Sequence, residues 1–102
     1  MIFTRADVQA FYNRISLEHE VHLDVAKAMF TATAVMLGEV IDARAAGHDS
    51  KAVVIISGFT NTWMALAGPL GMSEDKMRAA IESAIDLALT HIEQHRPPRS
   101  GP

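Results

Sequence analysis

Between residues 18 and 24 the chain reads Glu-His-Glu-Val-His-Leu-Asp, its densest run of side chains able to hold a metal or move a proton. Helical bundles bind iron or zinc with carboxylate and imidazole donors projecting inward from several helices. On a continuous helix Glu18 and His22 stand four residues apart on the face that carries Ile15 and Ala26, which directs both toward an interior. His91 and His95 repeat that spacing near the other end of the chain. Glu18, His22, His91 and His95 are therefore the candidate metal ligands.

The pattern stops at pairs of donors. Neither the Glu-x-x-His of di-iron bundles nor the His-Glu-x-x-His of zinc proteases occurs. The plainer expectation is that Glu18 and His22 pair with each other at a helix break or crossing while Glu20 and Asp24 are solvated. His91 and His95, in the last turns of a helix, would then serve the negative end of its dipole. Ser, His and Asp are all present, but no spacing among them assembles a hydrolytic triad. The sequence therefore reads as a protein without a cofactor and more readily as a non-enzyme than as an enzyme.

A different chemistry is concentrated from Ala52 to Ser73, where no charged residue occurs between Lys51 and Glu74. A run this apolar in a small domain must be core, self-association surface or membrane contact. Gly58, Asn61 and the Gly-Pro-Leu-Gly break interrupt it, and its helical part is short for a bilayer, so a membrane span is not expected. Ser57, Thr60, Asn61 and Thr62 are its polar members, and on a buried helix each needs a partner. Asn61 is singled out because a buried amide can fix the register of a symmetric helix pair. Phe59, Trp63 and Met64 could anchor an interface, with Met36 from an earlier helix, or form the core; both hold if the core is shared between two chains.

The elements that must position these groups are helices. Thr4 and Asp7 make a capping box, with Phe3 placed to staple onto Val8, and Val8, Phe11 and Ile15 continue at helical steps. The stripe goes on through Glu18, His22, Ala26, Met29, Thr33, Met36 and Val40, and Gly47 is the first strong stop. One helix over that range would be on the order of 60 Å long, more than a domain of this size can cover. Either this long first segment bends or breaks near Ser16 to Glu20, or it stays whole and is covered by a second copy. A bend or break is preferred, since the apolar face is interrupted there and Val25 to Ala46 is apolar nearly all round. Asp49 or Ser50 should cap a helix from about Lys51 to Ala67, with Gly58 permitting close approach of a neighbour and Gly68-Pro69 ending it.

Ser73 caps the last helix, with Met72 stapled onto Met77. Met77, Ile81, Ala84, Ile85, Ala88 and Ile92 face inward there, against Arg78, Glu82, Asp86 and Glu93. Pro97 stops it. The expectation is an all-α bundle of three to four helices spanning residues 1–96, followed by a disordered tail over 97–102 and associating as a dimer.

With 102 residues, 49% hydrophobic and 21% charged, one core is the limit and disorder is excluded. The net charge of −3 removes the electrostatic attraction to phosphate that nucleic-acid binders rely on, and the nine basic residues are scattered. No cysteine is present and the N-terminus does not read as a secretory signal, which points to the cytoplasm. The combined expectation is a homo-oligomeric interaction module that binds another protein as adaptor, regulator or inhibitor. Its apolar surface exceeds what a few short helices hide, and its six methionines suit adaptable contacts. The alternative is a metal- or small-ligand-binding bundle.

Overall fold

The computed structural model describes residues 4–94, which form four helices: α1 (Arg5–His19), α2 (Leu23–Ala45), α3 (Asp49–Leu66) and α4 (Glu74–Gln94). Short connections make sequential helices antiparallel neighbours, giving an up-down-up-down order. The packing is not a square. α2 and α4 touch each other as well as both remaining helices, whereas α1 and α3 do not meet. Ala80, Ala84 and Ala88, all buried at four-residue steps on α4, offer the small side chains that let this central pair close. α2 thus has a helix on three sides, which is what a helix apolar nearly all round requires.

The first two helices are separate. Glu20 adopts a left-handed conformation (φ 54°), and its backbone N–H closes α1 by donating to the Ser16 carbonyl. The Ser16 hydroxyl reaches across the break to the Val21 carbonyl at 2.6 Å, and Val21 is buried beneath the turn. His22 then caps α2, its ring Nδ1 accepting from the Asp24 N–H at 3.2 Å. The capping box at Thr4 and Asp7 is complete, and Ser73 accepts from the Lys76 N–H at the head of α4. α3 departs from expectation: its N-cap is His48, which makes no side-chain capping bond, and Asp49 lies inside the first turn. Phe3, Pro97 and the tail over 97–102 lie outside the described residues.

Two core layers fill the bundle. Near the α1–α2 and α3–α4 turns, Ile15, Met29, Trp63, Met77 and Ile81 are buried together, with Met72 packed against them in the expected staple position. Toward the other end Met36, Leu37, Val40, Ala52 and Ala88 form a second layer, and Phe59 and Ile85 pack against both.

Candidate functional site

The acidic-imidazole run does not converge. Glu18 is held by Arg14, whose Nε donates to Oε1 at 2.8 Å, and both side chains are exposed. His22 is exposed and paired with Asp24, not with Glu18. The inward direction expected of Glu18 and His22 is therefore overturned, as is their pairing. The left-handed residue at 20 rotates the chain, so positions on either side of it no longer share a helical face. Glu20 is exposed and receives the Lys76 ammonium at 3.0 Å, tying the turn to α4.

His91 is buried elsewhere. It stands edge-on to Phe11, with ring centroids 5.7 Å apart, and its Nε2 lies 3.6 Å from an Asp7 carboxylate oxygen. This places the α4 imidazole against the first turn of α1, away from Glu18 and His22. His95 lies outside the described residues. Among the described residues no three histidine or carboxylate side chains gather closely enough to hold a metal ion. The imidazole that sequence reasoning passed over is His19: its Nε2 is buried without a hydrogen-bond partner, 3.8 Å from Glu18 Oε2.

What the structure does assemble is a surface. α3 turns Ala52, Ile55, Phe59 and Trp63 inward, the last tilted against Phe59 at 6.5 Å between centroids. Only Ala52 and Trp63 of this helix are buried outright. Away from that stripe Val53 is 61% and Val54 69% exposed, together with Ser57, Gly58, Asn61, Thr62 and Ala65, and Ile56 at the stripe's edge is 40% exposed. No charge interrupts it from Ala52 to the end of the helix. The polar residues expected to lie within a buried helix are therefore mostly outside, and Thr62 satisfies its hydroxyl on its own helix by donating to the Gly58 carbonyl at 2.7 Å. Gly58 does not serve close packing within this chain, because a Cβ built there meets nothing within 4 Å.

The residues expected to form an interface divide accordingly. Trp63 and Met36 are sealed in the chain's own core, Phe59 and Met64 are half-buried, and Asn61 is outward. The flanks of the α3 face mix apolar and charged residues. Glu39 and Asp42 of α2 border the same groove as Lys51 and Ile55 of α3, and Val35, one turn before Glu39, continues that edge with 60% of its surface exposed. On the other side, Ile41 and Arg44 of α2 and Leu89, Ile92 and Glu93 of α4 line a hollow of about 570 Å³ that reaches Asp49 at the start of α3.

Covering Val53, Val54 and Ile56 is worth about 3 kcal/mol per copy, taking roughly 1.5–2 kcal/mol for a fully buried aliphatic side chain in proportion to the exposed fraction. That is well above thermal energy, yet below the association cost of about 4–15 kcal/mol, so the flanking residues must share in any stable contact. Among the described residues no helix is long and apolar enough to cross a membrane. Compared with protein-family models, curated proteins and solved structures, the chain matches none, so its surface is the guide to its function.

Proposed function

We propose that this chain is a protein-interaction module whose working surface is the outer face of α3, acting as a homo-oligomer and docking another protein as an adaptor, regulator or inhibitor. The observation that carries the reading is a helix with apolar side chains on both faces and, from Ala52 onward, no charge on the exposed one. A surface helix facing only water shows charged or polar residues opposite its core stripe. Contiguous exposed apolar side chains on a soluble domain mark contact surfaces. A cysteine-free composition supports a cytoplasmic setting, where thiol chemistry is not needed for the fold.

The test is photo-crosslinking in cells. A photoreactive phenylalanine analogue in place of Val54 should yield protein adducts, whether with the chain itself or with another protein. The same analogue in place of Glu82, on the charged face of α4, should yield few. Equal and low yields at the two positions would remove the α3 face from consideration as a contact surface.

A further inference from the structure

We infer that the first occupant of the α3 face is a second copy of this chain, paired antiparallel about a two-fold axis level with Phe59. This rests on the reading above and names the partner of that same surface. A helix pairing with its own copy brings each residue opposite a position equally far from the axis, on the other side of it. Centred level with residue 59, Ser57 of one copy meets Asn61 of the other, twice, and Val54 meets the exposed part of Met64, whose remainder packs on its own core, twice. Val54, Ser57, Asn61 and Met64 follow at steps of three, four and three, the seam spacing of helices packed side by side.

The seam's side chains favour a copy of this chain over a foreign partner. A charged residue near a two-fold axis meets its own like charge, which opposes self-pairing, whereas this seam carries none. Its polar members are also self-complementary. A hydroxyl and an amide each donate and accept, so Ser57 and Asn61 can satisfy one another across the axis without an unpaired group. Gly58, open to 4 Å around its missing Cβ, lies beside the axis and lets the two backbones approach.

Area agrees. Eighteen residues of α3 make a strip about 27 Å long and about 10 Å wide, some 270 Å² in projection. Adding one further strip of that area, shared between the flanks carrying Val35 and Leu89, brings the face to about 540 Å², close to the roughly 600 Å² per partner at which specific interfaces begin.

The experiment is sedimentation of the purified chain across the micromolar range, joined to crosslinking of single-cysteine variants, which the natural absence of cysteine makes unambiguous. The wild type should sediment as a dimer. Val54→Glu should weaken the dimer by about 100-fold or more, since it buries an unpaired carboxylate in each copy, with helical circular dichroism unchanged. Asn61→Lys serves the same purpose should Val54→Glu fail to fold. Leu17→Glu, at an exposed leucine of α1 away from the seam, should remain dimeric. A short bismaleimide should join Asn61→Cys chains, whose thiols lie near the axis, but not Ser50→Cys chains, whose thiols lie about 27 Å apart along it.

A monomeric wild type, or a dimer indifferent to Val54→Glu and Asn61→Lys, overturns the self-pairing. Crosslinking at both cysteines, or at Ser50→Cys alone, overturns the antiparallel register. A monomer whose residue 54 nonetheless crosslinks to a foreign protein in cells would refute the self-pairing and leave the interaction reading standing.

Discussion

α3 and α4 lie side by side on the same bundle, yet they meet solvent in opposite ways. α4 sends Met77, Ala80, Ile81, Ala84 and Ala88 inward and presents Glu74, Asp75, Lys76, Arg78, Glu82, Asp86 and Glu93 to water. α3 sends Ala52 and Trp63 inward and presents Val53, Val54, Ile56, Ser57 and Asn61. Folding alone explains α4: one apolar stripe is enough to hold a helix to a bundle. It does not explain α3, whose outer valines contribute little to the fold of a single chain. The difference separates residues that packing within the chain accounts for from residues that it does not.

That separation is broken or upheld most decisively by substituting one buried and one exposed aliphatic residue. Ile81→Ala, at a 2% exposed site in the core layer around Met77, should cost about 2–4 kcal/mol through lost burial and the cavity left behind. Val54→Ala should change the stability of the monomeric chain by less than about 0.5 kcal/mol. Urea denaturation at concentrations low enough to keep the chain dissociated reads both. A loss at Val54 rivalling that at Ile81 would mean that the outer face of α3 is structural after all.

The helix starts sharpen the contrast at about 1 kcal/mol. Ser73→Ala removes the hydroxyl that accepts the Lys76 N–H and should destabilise by about 1 kcal/mol. His48 caps α3 without a side-chain bond, so His48→Asn, which supplies an acceptor, should stabilise by about 0.5–1 kcal/mol. Thermal unfolding of the two variants should move in opposite directions. If both lose stability, His48 is acting through a contact other than capping.

These two helices also mark how far the sequence could be read. α4 was legible to its stripe, because charge alternates with apolar residues at helical period and labels the outside. α3 was legible as a helix but not in its rotation. Without charges, nothing distinguishes Val54 from Trp63 as inner or outer, and only the positions of α2 and α4 decide. The break after α1 was legible from its polar interruption, while the fate of Glu18 and His22 was not. Counting faces through positions 18 to 22 assumes continuous helical rotation, and the left-handed Glu20 ends it. His91 shows the same limit from another side, since an imidazole suited to a helix end is instead packed on Phe11 by a neighbour remote in sequence.

Gly38 lies on the exposed side of α2, in the middle of a helix, and a Cβ there meets nothing within 4 Å. Gly38→Ala should therefore stabilise the chain by about 0.5–1 kcal/mol by restricting the unfolded backbone without creating a clash. A loss in melting temperature would reveal that α2, too, needs an open outer face.

The smallest expected effect concerns what the charges of α4 are for. Lys76 donates to Glu20 at 3.0 Å, joining α4 to the turn between α1 and α2, but both side chains are more than half exposed. An ion pair in that position is screened by water and salt and costs side-chain entropy to hold, so it is worth about 0–0.5 kcal/mol. Lys76→Gln should accordingly shift the urea midpoint barely at low salt and not at all at high salt. If it does, this ion pair of α4 adds nothing measurable to the stability of the fold. A salt-independent loss of more than about 1 kcal/mol would instead make Lys76 a structural tether, because screening removes exposed ion pairs and spares buried ones.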